Sequence, residues 1–443
     1  MKKHRTSRRS FMKRAAAGSA AAVAAPWVAP RHVIAGSGEP GPNDRVTMAF
    51  IGCGRQTYSH NIPLFVRTSG VQTLAVCDVD AWRVDQALQR VDQQYQSGRA
   101  KGTPTKIDTS VDYQEILERD DIDAVMIATP DHWHTTMALD SMKAGKDVAL
   151  EKPIVRTIRE GRHLAEAAQK YNRIFRVDSE FRSGKPAHWA ATIVRNGYLG
   201  KVRRVLTCVP ESDVGCPPQL EMPVPPGLDY ERWQGPAPRA YYTEKRVHTP
   251  QSFDRPGWMR HLNYCDGMIT NWGTHLVNGA MWATDKDRTG PVEIDGSGEY
   301  PAPDSFWNVP LKFDVKYRFA DGLEWKYRTE SPYFIIEGDE GWIRADFKSM
   351  DAEPKSLLTI EPKPEDQHFR FKSEKQDFID CVRSREETLE PAEVGHRVTS
   401  MLLMGHISVR LNRKLTFDPV TETFNDDQAN EYLDKPIRTP RYS

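Results

Sequence analysis

The segment at residues 46–57, which reads V-T-M-A-F-I-G-C-G-R-Q-T, constrains the fold of this chain more than any other. Its first six residues are apolar or β-forming, which is typical of a strand buried on both faces of a parallel sheet. Gly52 and Gly54 then permit a tight turn and a close approach of the backbone to a ligand. The free N–H groups of a helix that begins after such a turn can hold a pyrophosphate. Because Thr57 replaces the third small residue of the full dinucleotide fingerprint, an ordinary turn is the alternative for these residues alone.

Apolar runs and helical patterns alternate through residues 45–180. The runs that follow the first one lie at residues 71–76, 123–128, 147–150 and 174–177. This alternation predicts a doubly wound parallel sheet, and the ligands of such sheets bind beyond the carboxyl ends of the strands. The residues that follow the strands should therefore share one crevice: Gly52, Gly54, Asp78, residues 129–134 and residues 151–153.

Asp78 follows the second apolar run, roughly 20 positions past Gly54, near the spacing at which a nicotinamide-binding unit places the carboxylate for the adenosine ribose. An acid at a strand end is often only a helix cap, but Asp80 is better placed to cap the helical pattern that follows. A carboxylate at position 78 would repel a 2′-phosphate. The sequence therefore favours NAD over NADP as the cofactor.

The pattern changes in the second part of the chain, and we place a second domain at residues 181–443. Proline and tryptophan become frequent, and Asp321-Gly322 is typical of a hairpin turn. Polar and apolar residues alternate at 202–209, 313–319 and 323–328. This period of two predicts an open, largely antiparallel sheet. Helical patterns follow at residues 374–384 and 391–412. The predicted fold class is α/β, with a doubly wound parallel sheet followed by an α/β domain.

The N-terminus reads S-R-R-S-F-M-K at residues 7–13, and a mildly apolar, alanine-rich stretch follows to residue 28. Paired arginines before such a stretch are typical of a twin-arginine export signal. A transmembrane anchor is the alternative, but the stretch is short and weakly apolar. We therefore predict a signal peptide at residues 1–35, a Gly/Pro-rich linker at residues 36–44, export to the periplasm and no stable membrane span. An uncleaved tether is the alternative to cleavage.

The charge balance argues against nucleic acid as a partner. Lys and Arg together number 61, as do Asp and Glu, but residues 1–35 hold eight basic residues and no acidic one. Without them the chain carries 53 basic and 61 acidic residues. The six cysteines show neither a C-x-x-C motif nor zinc spacing, and the histidines lack a carboxylate cluster at ligand spacing. No metal site is predicted.

Lys152 and His275 are the two candidates for proton transfer. Lys152 follows a buried run directly and precedes Pro153, whose ring fixes the backbone. A lysine held in a crevice by such a turn can exchange a proton near neutrality, and an ordinary surface lysine is the alternative. His275 lies at helical spacing from Asn271 and Asn278, so the three side chains should share one face. A histidine there can exchange a proton with a substrate hydroxyl, and a hydrogen-bonded core histidine is the alternative.

Taken in order, these motifs resemble those of the Gfo/Idh/MocA oxidoreductase family, the family of glucose–fructose oxidoreductase and inositol dehydrogenase. The likeness runs from residue 45 to residue 438, and its tail is similar to the exported bacterial branch. It is carried by Gly52-x-Gly54, Asp78, Thr129-Pro130 with His134, Glu151-Lys152-Pro153 and Gly273-x-His275. The resemblance implies a Rossmann domain, a C-terminal α/β domain whose open sheet often forms a homo-oligomer contact, and NAD(P)-linked oxidation of a sugar or cyclitol hydroxyl.

The resemblance also implies roles for individual residues. Lys152 would take the hydroxyl proton as hydride leaves for the nicotinamide, His275 would hydrogen-bond the same oxygen, and Asn271 would lie beside them as a third catalytic position. The dinucleotide would contact Gly52, Cys53, Gly54, Arg55, Gln56, Asp78, Thr129, Pro130, His132, His134, Glu151 and Lys152. Substrate contacts are expected at Arg182, Asp266, Trp272 and Asn278.

The chain departs from the family pattern G-G-x-x-x-D-x-G-x-H-x-x-D, because it has Asp266, Asn271 and Asn278 at three of those positions. A neutral Asn271 leaves the amine of Lys152 easier to deprotonate than an acid would. Asp266 could instead supply a compensating carboxylate. Loss of dehydrogenase turnover is the third interpretation of these changes.

The leading functional hypothesis is an exported oxidoreductase with tightly bound NAD that acts on a hydroxyl of a small sugar or glycoside. The first alternative is an NAD-dependent glycoside hydrolase, which would oxidise the sugar ring transiently, release the aglycone and return the hydride. The second alternative is a non-catalytic exported protein that binds sugar on the same fold.

Overall fold

The first sheet consists of six parallel strands, in a computed structural model that describes residue 41 and residues 44–103, 105–435 and 438. The strands are β1 (Val46–Ile51), β2 (Val71–Cys77), β3 (Asp108–Ser110), β4 (Ala124–Ile127), β5 (Asp147–Glu151) and β6 (Phe175–Asp178). Their order across the sheet is β3-β2-β1-β4-β5-β6, the doubly wound arrangement of a Rossmann domain. The strand order reverses between β1 and β4, so a crevice forms at the carboxyl ends of these strands. The predicted parallel sheet is confirmed.

Helices cover both faces of this sheet, and alternate residues of β1 enter two separate apolar cores. The helices are α1 (Ile62–Arg67), which follows a π-helical turn at Thr57–Asn61, α2 (Ala81–Gln96), α3 (Tyr113–Leu117), α4 (Asp131–Lys143) and α5 (Ile158–Lys170). The Asp80 carboxylate accepts a hydrogen bond from the Trp82 N–H and so caps α2, as the sequence indicates. Thr157 caps α5 in the same way, by accepting from the Glu160 N–H.

The second sheet has nine strands and is open. Its strands are β7 (Val202–Val209), β8 (Glu293–Glu299), β9 (Lys312–Arg318), β10 (Glu324–Thr329), β11 (Tyr333–Gly338), β12 (Gly341–Ala345), β13 (Met350–Glu353), β14 (Leu415–Asp418) and β15 (Thr423–Phe424). The order is β13-β12-β11-β7-β10-β9-β8-β14-β15. Among the described strands of this sheet, only β7 and β10 pair in parallel. The predicted α/β class, with a largely antiparallel second sheet, is confirmed.

Helices of the second part of the chain pack against this sheet and between the two domains. They are α6 (Lys185–Arg195), α7 (Tyr230–Gln234), α8 (Met268–Asn271), α9 (Gly273–Ala283), α10 (Glu374–Ser384), α11 (Ala392–Leu411) and α12 (Asp427–Asn430). The sequence predicts one continuous helical face through Asn271, His275 and Asn278. The structure interrupts that helix at Trp272, between α8 and α9, so Asn271 and His275 lie on two successive short helices.

One helix of the second half belongs to the core of the first sheet. The Phe378 ring of α10 lies 6.2 Å from that of Phe65, and both pack in the core that contains Phe50. Lys375 of the same helix forms a buried ion pair with Asp178, at the end of β6. The first sheet therefore takes part of its covering from a segment that the sequence assigns to residues 181–443.

The predicted signal peptide at residues 1–35 lies outside the described residues, as does most of the linker at residues 36–44. Within the described ranges, no helix combines the length and the apolar character that crossing a bilayer requires. The homo-oligomer contact through the nine-stranded sheet stays a prediction.

Gly405 allows α11 to lie close to the second sheet. A Cβ atom at this position would stand 2.1 Å from the hydroxyl oxygen of Tyr317, which is buried in β9. That hydroxyl donates a 3.0 Å hydrogen bond to the carbonyl oxygen of Met401, also in α11. An added methyl group would have to displace the phenol ring or the helix.

Gly405→Ala should therefore lower the free energy of unfolding by about 1–3 kcal/mol, the usual cost of overpacking a core. Gly290→Ala is the matched control, because a Cβ there meets its neighbours at 3.5 and 3.6 Å, ordinary contact distances. We expect that control to stay within about 0.5 kcal/mol of wild type. Denaturant unfolding of the three proteins measures the difference, and equal stability of both variants would contradict the close packing of α11.

Candidate active site

A cavity of about 340 Å³ opens at the carboxyl ends of β1, β2, β4 and β5. A volume of this size suits a small-molecule site. Most of the residues that the sequence singles out for this crevice line its wall: Gly52, Gly54, Arg55, Gln56, Asp78, Thr129, Pro130, His134, Glu151, Lys152, Asn271, Trp272 and His275. Five others lie outside its wall: Cys53, His132, Arg182, Asp266 and Asn278.

The glycine turn after β1 is held by close backbone packing. Gly52 has φ of +88°, and a Cβ there would lie 2.7 Å from the carbonyl group of Ala128. The hydroxyl of Thr57 donates a 2.5 Å hydrogen bond to the Gly52 carbonyl oxygen. Thr57 thus stabilises the turn with its side chain, at the position where the full fingerprint has a small residue. A Cβ on Gly54, by contrast, would find its nearest neighbour at 3.9 Å, so this part of the wall is open.

Asp78 is tied to the same turn. Its carboxylate accepts hydrogen bonds from the Cys53 N–H at 2.6 Å and from the Asp80 N–H at 3.0 Å. Burial raises the pKa of Asp78, and the charge of Arg83 opposes that shift. Because Asp80 takes the capping role, Asp78 stays at the cavity wall, where the sequence expects the ribose carboxylate. The ribose contact itself stays a prediction.

His134 joins two of the loops that form the wall. Its Nδ1 lies 2.7 Å from the carbonyl oxygen of Pro153, and its Nε2 lies 2.8 Å from that of Thr129. Burial lowers the pKa of His134 to about 4, so the ring is uncharged at pH 7. Both ring nitrogens face backbone oxygens, which can only accept, so the neutral ring donates to one of them at a time. His134 is a positioning residue for the loop that carries Lys152.

Lys152 lies at the end of β5, and the peptide bond that joins it to Pro153 is cis. Its ammonium donates a 3.3 Å hydrogen bond to the main-chain carbonyl oxygen of Asn271. This contact joins the first domain to the end of α8 and brings Lys152 and His275 to one cavity wall. The two candidates for proton transfer therefore meet, as the sequence predicts.

His275 has a defined tautomer. Its Nδ1 lies 2.5 Å from the carbonyl oxygen of Ser179, and since a carbonyl can only accept, Nδ1 carries the hydrogen. Burial and then the positive charge of Lys152 lower the pKa of His275 to about 3, so the imidazole is neutral. Its Nε2 is consequently a hydrogen-bond acceptor, which suits a substrate hydroxyl.

Glu151 is a neutral carboxylic acid in the cavity wall. Burial, followed by the negative charge of Asp178, raises the pKa of Glu151 to about 8, although Lys152 and Lys375 oppose the shift. The side-chain amide of Asn61 donates to Glu151 at 3.2 Å. Protonation of Glu151 removes one negative charge from the cavity wall, close to the Asp178 carboxylate, which is buried in an ion pair with Lys375.

The sequence did not single out Asp131, which also lines the cavity. It is the first residue of α4 and only 3% exposed. Burial raises the pKa of Asp131 to about 7, against the hydrogen bond from the Cys265 thiol and the charge of Lys152. Its place in the T-P-D-H-W-H segment, directly after two expected cofactor contacts, was the available signal.

Two expected cofactor contacts are instead structural. The thiol of Cys53 is buried and points to the carbonyl oxygen of Cys77, at 3.6 Å. His132 is buried outside the cavity wall, and its Nε2 is 3.0 Å from the carbonyl oxygen of Trp233. Direct contact of these two side chains with a ligand in the cavity is therefore not supported.

Three expected substrate contacts are likewise corrected. Arg182 is fully buried, where it donates to Asn278 at 2.8 Å and to Asp287 at 2.7 Å. Asp266 forms ion pairs with Arg156 at 3.3 Å and with Lys435 at 3.2 Å, and its carboxylate lies 3.3 Å from Nδ1 of His406. Burial disfavours the anion of Asp266, but Lys435 and Arg156 hold its pKa well below the usual value. Charge pairing in the protein interior therefore explains these acids and amides better than substrate binding does.

Residues 228–259 cover part of the cavity, which the sequence did not predict. Asp80 forms a β-bridge with Leu228, and the indole N–H of Trp133 donates to the Trp233 carbonyl oxygen at 3.1 Å. The proline- and tryptophan-rich composition of this segment indicated a new domain but not its position over the first one. The segment contributes Arg232, Trp233, His248, Asp254, Pro256, Trp258 and Met259 to the wall.

The described residues contain no group of three or more His, Cys, Asp or Glu side chains that could hold a metal ion.

Two family models match the chain. The model described as "Oxidoreductase family, NAD-binding Rossmann fold" matches residues 46–179, and that described as "Oxidoreductase family, C-terminal alpha/beta domain" matches residues 214–443. The first match contains all six strands of the first sheet, and the second contains every strand of the second sheet except β7. Together they include the glycine turn, Lys152 and His275.

A curated relative is the "Glycosyl hydrolase family 109 protein 1" of Shewanella sp. (strain ANA-3), which is 31% identical over 210 residues. The match covers 45% of this chain and 45% of the relative, so the chain spans about half the length of the curated relatives it matches.

Solved structures share the fold at low identity. The aldose-aldose oxidoreductase of Caulobacter crescentus, solved with glycerol, is 18% identical with a TM-score of 0.59, and the match covers 84% of this chain and all of that one. The myo-inositol 2-dehydrogenase of Lactobacillus plantarum is 16% identical with a TM-score of 0.57, at the same coverage.

Glu151→Gln should become more stable relative to wild type as the pH rises. Folded wild type keeps the Glu151 proton up to about pH 8, whereas a glutamate of the unfolded chain releases it near about pH 4.3. Wild-type stability therefore falls through this window, by at most ~1.4 kcal/mol per pH unit, and glutamine escapes that loss.

Thermal unfolding at about pH 5.5 and about pH 8 measures the effect. Glu166→Gln, at an exposed position of α5, is the matched control. The stability difference between Glu151→Gln and wild type should change between the two pH values. An equal difference at both would show that Glu151 is ionised throughout this range.

Proposed function

Because the chain belongs to the Gfo/Idh/MocA oxidoreductase family, we propose that it oxidises a hydroxyl of a sugar or glycoside with a tightly held NAD. The observation that carries the proposal is the meeting of Lys152 and His275 at one cavity wall, beside the glycine turn of the NAD-binding domain. The named sugar-acting enzymes that share the fold support a small polyhydroxylated substrate.

The residues at the strand ends fit a dinucleotide. The open position beside Gly54 leaves room for a pyrophosphate against the backbone, and the helix that follows presents its first N–H groups there. Asp78 would hold the adenosine ribose, and its negative charge would disfavour the additional phosphate of NADP. When bound, the nicotinamide supplies the hydride acceptor for alcohol oxidation.

The proton of the substrate hydroxyl is handled by two groups of this chain. His275 offers its Nε2 as an acceptor, because Nδ1–H is engaged by the Ser179 carbonyl. Lys152 is oriented by the Asn271 carbonyl and takes the proton as the base. Asn271 contributes its backbone oxygen to this arrangement, so replacement of an acid by Asn at this position is compatible with catalysis.

The segment that covers the cavity supports the proposal that the cofactor is held tightly. Residues 228–259 place Trp233, Trp258 and Met259 on the cavity wall, where they would limit the escape of a bound dinucleotide. We propose that the cofactor is loaded before export directed by residues 1–35, and that a second substrate reoxidises it. A retained cofactor suits a compartment in which free nicotinamide is scarce.

The second candidate is a glycosidase that oxidises its substrate transiently. The similarity to a glycosyl hydrolase family 109 protein supports it, as does a cavity that holds the acid Asp131 in addition to Lys152 and His275. This activity releases an alcohol from a glycoside without a net change in the redox state of NAD.

Mass spectrometry of the small molecules released from the purified protein, followed by a sugar panel monitored for nicotinamide reduction, tests the proposal. We expect NAD and reduction by at least one sugar. Release of an aglycone without net reduction would favour the glycosidase, and a protein with no measurable affinity for NAD would refute both.

Gly54→Ala should fold normally but bind NAD at least ~10-fold more weakly, a loss of about 1.4 kcal/mol. The added methyl group meets no protein atom closer than 3.9 Å, so it stands in the space assigned to the pyrophosphate. Calorimetric titration of the cofactor-free proteins measures the affinity, and Gly290→Ala is the control outside the cavity. Unchanged affinity in Gly54→Ala would place the dinucleotide elsewhere.

Lys152→Met should lower kcat for sugar oxidation by about 10²–10⁴-fold, the usual contribution of a general base. The methionine side chain keeps a similar length but cannot accept a proton. Stopped-flow measurement of nicotinamide reduction gives the rate, with Lys170→Met on the exposed end of α5 as the control. A loss of less than about threefold would assign the base to another residue.

A further inference from the structure

Asp131 is a buried acid of the cavity whose carboxyl group is only partly satisfied. The residue is 3% exposed and lines the cavity with Lys152. Within the described part of the chain, its Oδ2 has no hydrogen-bond partner. An unsatisfied buried oxygen destabilises the fold, so a group of this kind in a cavity wall calls for a functional explanation.

The charges around Asp131 come from three segments. Lys152, at the end of β5, and Arg156, in the loop after it, lower the pKa of Asp131, and Asp266 raises it. The thiol of Cys265 hydrogen-bonds the carboxyl group, which also lowers the pKa. Burial is the largest cause and outweighs the others, so the group titrates at about pH 7.

Arg156 and Asp266 are bonded to each other at 3.3 Å, which leaves Lys152 as the charged neighbour of Asp131 that is also on the cavity wall. Glu151 is another acid of the cavity wall, but its carboxyl group accepts a hydrogen bond from Asn61. Asp131 therefore combines an unpartnered carboxyl oxygen with a place on the same cavity wall as Lys152, whose charge acts on it.

We propose that Asp131 is the proton-relay partner of Lys152, and that it supplies the carboxylate that Asn271 and Asp266 do not provide. This inference rests on the proposed function. The O–H bond of the substrate breaks as the Lys152 amine takes the proton, and the C–H electron pair leaves as hydride to NAD while the C=O bond forms. Asp131 Oδ2 makes no hydrogen bond within the described residues, so the proton then passes from the Lys152 ammonium through water in the cavity to the Asp131 carboxylate, and from there to the solvent. Lys152 is thereby returned to the amine for the next turnover.

The relay predicts the pH dependence of the reaction. A protonated Asp131 cannot accept the proton, so kcat/KM for sugar oxidation should rise through about pH 7 in wild type. Asp131→Asn should shift this rise by at least ~1 pH unit and lower kcat by about 10-fold or more. Cys265→Ala should move it to higher pH, because it removes a hydrogen bond that lowers the pKa of Asp131. Asp131→Glu should restore the rise near its original position.

Infrared difference titration of the purified holoprotein supplies a readout that needs no turnover. We expect two protonated-carboxyl bands in wild type, one that disappears through about pH 7 and one from Glu151 that disappears through about pH 8. The first should be absent from Asp131→Asn, and the second should remain. Asp85→Asn, at an exposed position of α2, is the matched control and should keep both bands.

The relay is overturned if the Asp131 band titrates elsewhere, or if the rise of kcat/KM stays within about 0.3 pH unit in Asp131→Asn and Cys265→Ala. If Asp131→Asn fails to fold, Cys265→Ala and the wild-type titration decide. If Asp131 titrates as expected but none of the sugars tested leads to reduction of NAD, the proposed function is refuted, and the relay is refuted with it.

Discussion

The cavity depends on a small set of hydrogen bonds that fix loops from separate strands against one another. The Asp78 carboxylate holds the glycine turn after β1, and His134 links the loop after β4 to the loop after β5. The Lys152 ammonium then reaches the carbonyl oxygen of Asn271 in the second domain. Each bond has a backbone group as one partner, so the geometry is set by the fold and not by flexible side chains alone. These residues are far apart in the sequence and come from both domains, so the site forms only when the whole chain is folded.

Burial, more than ion pairing, sets the protonation of the cavity. Burial raises the pKa of Glu151 to about 8 and that of Asp131 to about 7, and it lowers the pKa of His275 so that the ring is a neutral acceptor. The same burial acts in opposite directions on acids and on imidazoles, because it disfavours whichever form is charged. Lys152 thus lies among neutral or titrating groups, whereas the fixed ion pairs of Arg182 and Asp266 lie outside the cavity wall. Side chains that form permanent ion pairs serve the structure, and side chains without such a partner are the ones that can exchange protons in the cavity.

Much of this arrangement could be predicted from the sequence, because the relevant signals are local. The alternation of strands and helices gives the order of the first sheet, and residues that follow parallel strands must meet at one edge. Gly52 and Lys152 were found in this way, and His275 was found by its spacing from Asn271 and Asn278. The capping role of Asp80 also follows from a pattern within a few residues. In contrast, Phe378 fills the first core from a helix some three hundred residues away, and Trp233 reaches the cavity from the second domain. Contacts between segments so far apart leave no trace in local periodicity.

The misplaced substrate contacts have a different origin, since they depend on how charges are paired. A motif shows that Arg182, Asp266 and Asn278 are polar, but it does not show whether each has a partner inside the protein. Asn278 accepts a hydrogen bond from Arg182, which also pairs with Asp287. An amide at position 278 therefore satisfies Arg182, whereas an acid there would add a further negative charge to a buried cluster. The loss of carboxylates relative to the family pattern is therefore compatible with the proposed function. The cavity also contains the acid Asp131, which lies on a different helix. A comparison of motifs does not identify this residue, because its chemistry depends on its burial and on the charge of Lys152.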